Sequence, residues 1–325
     1  MQPILPWLDA VVQSFRDVTP TVREFCIQPA LGTAAYAPGA HMQVQVLVNG
    51  KPQTRSYSLV GAPDPACYRI AVKRLDTGRG GSLAMWQLAV GSRISIIAPQ
   101  NHFVLDLNAP AYLLAAGGIG ITPLVWMAQI LAERGANFRM LFGVRSAAEL
   151  AFADVLRRQL GNRLQTASAE QGEQLAFDKE IAALPAGALM VVCGPLPMLD
   201  AARTAWGTAG RPLADLRFET FGSSGRFAPQ AFRVAVPRHN LDMVVPPHAS
   251  LLEALEGNGV QAMYGCRRGE CGLCAMQILS LDGEIDHRDV FLSAHEKAAN
   301  QRMCVCVSRV LGSVTLESAY LPEAV

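Results

Sequence analysis

Five of the eight cysteines in this 325-residue chain fall between residues 266 and 306: Cys266, Cys271, Cys274, Cys304 and Cys306. The first three are spaced C-x4-C-x2-C, and no second C-x2-C arm follows. Structural zinc sites more often pair two such arms, so zinc is disfavoured. A tight loop carrying three thiolates, with a fourth cysteine far along the chain, is the spacing that holds a [2Fe–2S] cluster. Gly265, Gly269 and Gly272 let backbone N–H groups approach the sulfurs, and such hydrogen bonds raise the potential of an electron-rich cluster. The fourth ligand stays open. Between Cys274 and Cys304 lie 29 residues (275–303), and between Cys274 and Cys306 lie 31 (275–305). On a strand both would point to one face, so periodicity does not choose.

The length exceeds what one core usually organises, so more than one domain is expected. Half the residues are hydrophobic and 17% are charged, which excludes a disordered or charged fibrous chain. Twenty-eight basic against 27 acidic side chains leave +1, so nothing points to nucleic acid or an anionic membrane. From Phe232 onward 8 basic and 11 acidic residues give −3, leaving +4 for the rest. The N-terminal MQPILPWLDAVVQSF has no basic region and meets Asp9 early, unlike a secretory signal. The charge-free stretch between Asp106 and Glu133 could span a bilayer by length. Gly117, Gly118, Gly120, Thr122, Pro123 and Gln129 instead divide it into a strand, a turn and a helix. The expectation is a soluble cytoplasmic chain, in which disulfides are disfavoured.

Up to about residue 104 short β segments recur: Ala10–Arg16, Val22–Gln28, His41–Val48, Arg55–Val60, Tyr68–Arg74 and Arg93–Ala98. Turn signals between them suggest an antiparallel barrel, with one short helix after Gly81 capped by Ser82. Near residue 110 the pattern changes to alternating strands and helices. These are Ala111–Ala116, Pro123–Arg134, Phe138–Val144, Ala148–Leu160, Leu189–Cys193, Pro197–Trp206 and Leu216–Thr220, the mark of a Rossmann-like parallel sheet. The stretch from Gly222 to Pro229 reads as a linker. Phe232–Pro237 and Leu241–Val245 then resemble a hairpin, followed by a short helix over Leu251–Asn258 and the cysteine segment. The expected division is 1–104, 105–226, a linker at 227–231, and 232–325.

Arg55-Ser56-Tyr57-Ser58 on a barrel strand suits a flavin: Tyr57 can cover the ring face, Ser58 can bond its reactive edge, and Arg55 can hold a phosphate. An ordinary half-buried strand explains the same residues equally well. Gly78-Arg79-Gly80-Gly81-Ser82 at a helix start forms an anion site, or merely a glycine-rich turn. Gly117-Gly118-Ile119-Gly120-Ile121-Thr122-Pro123 has the strand–turn–helix logic of phosphate binding, with Thr122 as cap and Pro123 at the first helical position. Downstream, Cys193-Gly194-Pro195 ends a strand before a helix carrying Met198. Arg145-Ser146 ends the second strand, where a dinucleotide's ribose would lie. Arg145 could pair with a 2′-phosphate or stack on adenine, so NADH and NADPH both stay open. None of the six histidines forms a Cys-x-His or two-His-one-carboxylate set. His287 and His295, flanking an acidic loop, are expected on the solvated surface.

The segments CRRGECGLC, DGEIDHRDVFLSAHEK and CVSRV resemble the C-terminal plant-type ferredoxin domain of the phthalate dioxygenase reductase and vanillate O-demethylase reductase family. There the last ligand immediately precedes V-S-R. The resemblance therefore implies Cys266, Cys271, Cys274 and Cys306 as cluster ligands, Cys304 as a neighbouring core cysteine, and a β-grasp fold. R-S-Y-S, Ala71-Val72-Lys73 and G-G-S together resemble the family's FMN half. That implies flavin contacts at Arg55, Ser56, Tyr57, Ser58, Ala71, Lys73, Gly80, Gly81 and Ser82, and FMN rather than FAD. The glycine turn and Cys-Gly-Pro resemble the pyridine-nucleotide module. Nucleotide contacts are implied at Gly117, Gly118, Gly120, Thr122, Pro123, Arg145, Ser146, Cys193, Gly194, Pro195 and Met198, with NADH slightly favoured. Ser58, Cys193 and Phe221 are implied beside the hydride transfer. Cys26 and Cys67 receive no role.

The same resemblance implies the reductase component of an aromatic-ring oxygenase or O-demethylase system. Electrons would pass from NAD(P)H through FMN and the cluster to a separate Rieske-type oxygenase. The reductase would be monomeric, with no membrane or nucleic-acid partner. A stand-alone diaphorase or flavin reductase, and an iron–sulfur redox sensor, are the alternatives.

Overall fold

The computed structural model describes residues 6–76, 80–221 and 225–318. Contacts divide the chain once, after Glu219, so that the expected first two domains share one compact unit. Strands β1 (Leu8–Thr19), β2 (Val22–Pro29), β3 (His41–Val48), β4 (Lys51–Ser58), β5 (Tyr68–Lys73) and β6 (Arg93–Gln100) pair antiparallel in the order β4-β3-β6-β1-β2-β5. Leu59 bridges Ile70, and the Val60 N–H donates to the Arg69 carbonyl at 2.9 Å. These contacts join the two edge strands and close the barrel. Alternation fills its interior: Met42, Val44, Val46 and Val48 of β3 all point inward, against Phe25, Ile27, Ile70 and Ile96.

Asn49 and Gly50 both take positive φ, a two-residue turn whose twist matches the strands it joins. It lets β4 start at Lys51 rather than Arg55. Pro52 fits there because β4 ends the hydrogen-bonded order, where a missing N–H is tolerated. Helix α1 (Gly81–Trp86) seats Met85 in the barrel core. Its cap is Gly80, in the left-handed region, and not Ser82; the Ser82 hydroxyl instead accepts the Leu75 N–H at 3.1 Å. Gly78 and Arg79 lie outside the described residues.

Cys26 and Cys67, left without a role by the sequence, form a disulfide, although disulfides were expected to be disfavoured. The cause is register. Cys26 on β2 pairs with Arg69 on β5, which places Cys67 diagonally across and brings the two Cα atoms to 5.6 Å, within disulfide range.

The second layer of this unit is a parallel sheet of β7 (Tyr112–Gly117), β8 (Phe138–Val144), β9 (Leu164–Ser168), β10 (Leu189–Cys193) and β11 (Leu216–Glu219), ordered β11-β10-β7-β8-β9. Every residue of β7 and β10 is buried, as strands covered on both faces require. The crossover helices are α2 (Ile121–Glu133), α3 (Ala153–Leu160), α4 (Phe177–Ala182) and α5 (Leu196–Thr208). The charge-free stretch is thus β7, a turn and α2. Among the described residues no helix is long and apolar enough to cross a membrane.

Gly120 is the last residue before α2, so Thr122 is no cap and Pro123 is the third helical position. The Thr122 hydroxyl donates back to the Ile119 carbonyl at 3.0 Å. Pro123 is tolerated there because first-turn N–H groups have no intrahelical partner. Helix α3 starts later than expected, at Ala153: Phe152 has φ +62° and breaks the run that begins at Ala147. Strand β9 and helix α4 were not anticipated.

From Thr220 the second unit contains β12 (Phe232–Val236), β13 (Leu241–Val245), β14 (Ala275–Asp286), β15 (Arg302–Cys304) and β16 (Arg309–Glu317), with α6 (Leu251–Gly257) and α7 (Ala294–Ala299). The order is β13-β12-β16-β14-β15, with β12 parallel to β16 and the other pairs antiparallel, a β-grasp. Ser250 with Glu253, and Ser293 with Glu296, form reciprocal capping boxes on the two helices. The stretch expected as a linker is held down. The Arg226 N–H donates to Asp286 at 2.9 Å, Arg288 donates to the Phe227 carbonyl at 2.9 Å, and Arg309 to the Gln230 carbonyl at 2.9 Å.

Candidate functional site

The cysteine loop of the second unit turns its backbone toward sulfur. The N–H groups of Arg268, Glu270 and Cys271 each lie 3.4 Å from Cys266 Sγ, and the Cys266 N–H lies 3.5 Å from Cys271 Sγ. Cys274 Sγ stands 3.1 Å from Cys306 Sγ. The sulfurs group as Cys266 with Cys271, joined by a thiol–thiol hydrogen bond, and Cys274 with Cys306, with Cys304 also donating to Cys274. Two pairs suit two irons, each taking two thiolates.

Thiol–thiol hydrogen bonds polarise both pairs. Cys271 accepts from Cys266 and is lowered to about 5, while that bond, with burial, pushes Cys266 up. Cys274 is lowered to about 4 by bonds from Cys304 and Cys306, which are themselves pushed up. Each pair thus contains a thiolate-prone sulfur, the form that binds metal.

Cys304 and Cys306 do not share a strand face. Strand β15 ends at Cys304, whose carbonyl accepts the N–H groups of Val307 and Ser308 in a turn. The Gly269 N–H acts on the Cys306 thiol. Gly269 has φ +78°, and a Cβ there would fall 2.6 Å from Val307 and 2.9 Å from the Asp289 backbone, so only glycine fits.

Several supporting residues were invisible in the sequence. Buried Asp289 accepts from the Leu292 N–H at 2.9 Å and the Ser308 hydroxyl at 3.2 Å. Burial alone would raise its carboxyl, but the His287 hydrogen bond, the Leu292 N–H and Lys297 hold it below the ordinary range. His287 is not on the solvated surface: its ring is 3.1 Å from Asn300 and 3.5 Å from Asp289. His295 is exposed as expected. Arg309 donates to the carbonyls of Ala249, Gln230 and Pro246, so the V-S-R after Cys306 fastens three segments together. Glu270 accepts the Thr220 N–H at 2.9 Å, and burial pushes its carboxyl up to about 7. Phe221, half-buried, follows in this second unit.

In the first unit the R-S-Y-S strand and the glycine turn meet. The Arg55 side chain lies so close to Gly81 that a Cβ there would overlap it. Its guanidinium also donates to the Thr54 carbonyl at 2.8 Å and to Gln53. Tyr57 packs on the barrel core, and burial raises its phenol. Ser58 is 4% exposed, and its hydroxyl has no hydrogen-bond partner among the described residues. A buried hydroxyl without a partner is costly unless a ligand completes it, which fits a polar ring edge. Ala71 is buried, whereas Lys73 forms an ion pair with Glu149 at 2.9 Å.

In the parallel sheet the chain runs from β7 outward to β8 and β9, then returns to place β10 on the other side of β7. Ligands of open α/β sheets bind outside the carboxyl ends of the strands at such a reversal. The two glycine-bearing turns meet there. A Cβ on Gly117 would lie 2.6 Å from Met198 Sδ and 3.2 Å from Gly194 Cα, and one on Gly120 would overlap the Cys193 carbonyl. Gly118, Thr122, Pro123 and Pro195 belong to the same two turns, and Cys193 is fully buried. Arg145 is exposed beyond the end of β8, beside Ser146.

Residues 236–311 match the family of 2Fe-2S iron-sulfur cluster binding domains. Over 95% of its length the chain is 36% identical to the heme-dependent oxidative N-demethylase beta subunit of Ectopseudomonas mendocina (strain ymp), 98% of which is covered. A putative toluene-4-sulfonate monooxygenase system reductase subunit of Comamonas testosteroni is 38% identical over 88% of this chain and 89% of its own. Among solved structures, phthalate dioxygenase reductase superposes with a TM-score of 0.80 at 29% identity, covering 96% of this chain and 98% of that one.

Proposed function

Because the chain belongs to the family of oxygenase-system reductases typified by phthalate dioxygenase reductase, we propose that it carries electrons from NADH through FMN and a [2Fe–2S] cluster to a separate terminal oxygenase. The observation that carries this reading is the two-by-two pairing of Cys266 with Cys271 and Cys274 with Cys306. When bound, the flavin takes up a hydride and releases single electrons, which a cluster relays one at a time.

The residues divide that work. Arg55, Gly80, Gly81 and Ser82 would hold the flavin phosphate, Tyr57 would cover a ring face, and Ser56, Ser58, Ala71 and Lys73 would line the remainder. Ser58 would donate to the ring edge. Gly117, Gly118, Gly120, Thr122 and Pro123 would receive the dinucleotide phosphates, with Arg145 and Ser146 at the ribose. Cys193, Gly194, Pro195 and Met198 would wall the nicotinamide. Three cofactor domains, 1–104, 105–226 and 232–325, joined at 227–231, make a monomeric cytoplasmic reductase. Its terminal oxygenase is of Rieske type and acts on an aromatic substrate.

A visible spectrum of the purified protein tests this directly. Flavin bands over broad cluster absorption are expected, with both bleached by NADH. A flavin spectrum without cluster, after anaerobic preparation, would leave a stand-alone flavin reductase; no bleaching by either nucleotide would leave a redox sensor. A second reading, a heme oxygenase as terminal acceptor, is favoured by the relative from Ectopseudomonas mendocina, whose name is heme-dependent. Reconstitution with Rieske and heme oxygenases separates the two.

A further inference from the structure

The loop after β8 is fixed at several points. The Glu149 N–H donates to the Ser146 carbonyl at 2.9 Å, and the Ala151 N–H to the Glu149 carbonyl at 2.8 Å. The Arg145 carbonyl accepts the Glu170 N–H at 2.9 Å and the Ser168 hydroxyl at 3.3 Å. Buried Phe152 closes the loop in the left-handed region, which a bulky residue enters only when its surroundings impose it. One contact reaches outside the parallel sheet. Glu149 Oε1 is 2.9 Å from Nζ of Lys73, the last residue of β5 in the barrel. The two side chains are 22% and 26% exposed.

We infer that Glu149 is a positioning residue for the dinucleotide, acting through Lys73 to brace the 145–149 loop against the flavin strand. The inference rests on the proposed placement of Arg145 and Ser146 at the ribose. An ion pair this exposed adds little stability, so its effect lies in geometry. It holds the Arg145 end of the loop at a set distance from the barrel. Lys73 then serves the nucleotide loop first, and any contact it makes with flavin comes second.

The test is steady-state and rapid-mixing kinetics on full-length holoprotein, wild type against Glu149→Gln and Glu149→Asp. Glu149→Gln is expected to raise KM for NADH by about three- to fivefold, with flavin content and kcat at saturating NADH unchanged. Raising ionic strength should raise KM in the wild type, and much less in Glu149→Gln. Glu149→Asp, which keeps the carboxylate, should hold KM within about twofold of the wild type. An unchanged KM in Glu149→Gln, or loss of flavin from that variant, overturns the brace. So does a Glu149→Asp protein whose KM rises as far as that of Glu149→Gln. If NADH fails to bleach the wild-type flavin, the proposed function itself fails; bleaching with an unchanged KM removes the brace alone.

Discussion

At Cys274 two thiols compete for one place. Both Cys304 and Cys306 donate to its sulfur, and Cys306 also receives a backbone N–H from the cluster loop, that of Gly269. Cys304 is fully buried at the end of β15 among Met303 and Val305. Cys306→Ser is therefore expected to lose iron and the cluster's visible absorption, while Cys304→Ser keeps both; iron analysis of the two purified variants decides. The three clustered cysteines were legible in the sequence because ligand spacing within a loop is local. Asp289 was not, because its partner Ser308 lies 19 positions away and the need for a partner arises only on burial. Asp289→Asn should lower stability by about 2 kcal/mol at neutral pH, read from the denaturant midpoint of cluster bleaching. Its carboxyl is depressed when folded, so the carboxylate stabilises above the unfolded value of 3.8 and this is lost as pH falls below that. The gap between variant and wild type should close accordingly in acid.

Elements were read correctly where local pattern and tertiary demand agree. Strands β3, β8 and β10 keep the bounds expected from alternation or continuous apolar runs. Strand β4 begins at Lys51 and not at the expected Arg55; it holds Pro52 because it lies at the end of the sheet order, a place that tertiary pairing decides. Strand β9, with sequence LQTAS, lies at the edge of its sheet and carries no hydrophobic pattern strong enough to reveal it. The disulfide was hidden for a related reason: Cys26 and Cys67 are 41 positions apart, and only the β2–β5 register brings them together. A cross-link closing that loop stabilises by about 4 kcal/mol in the chain-entropy view. Cys26→Ser should therefore lower the melting temperature of non-reduced protein. Dithiothreitol should lower the wild type to the same value and leave the variant unmoved. Equal melting of variant and wild type without reductant would mean that the bond contributes nothing.

For the whole molecule, the order of barrel, parallel sheet and β-grasp was legible because each has its own periodicity and its own motif. The net charge was not informative, because +1 sums −3 from Phe232 onward and +4 from the remainder. Even the −3 overstates the field available to a partner. Arg233, Arg238, Arg267, Arg268, Arg288, Lys297 and Arg302 are each paired with a carboxylate of the same unit, leaving little unbalanced charge in any one place. Beside the cluster loop the exposed surface is apolar instead: Leu273 is 47% exposed, Phe291 is 44% exposed with its ring over Gly272, and Cys271 reaches solvent between them. A transient redox partner that docks here would gain more from one desolvated aromatic ring than from diffuse steering. Phe291→Ser is accordingly expected to raise the oxygenase concentration for half-maximal turnover by about tenfold, with reduction of a small soluble one-electron acceptor unchanged. Between low and physiological salt the wild type should change by less than that. A Phe291→Ser protein that still saturates with oxygenase as the wild type does, in a reaction suppressed by salt, would return the docking to electrostatics.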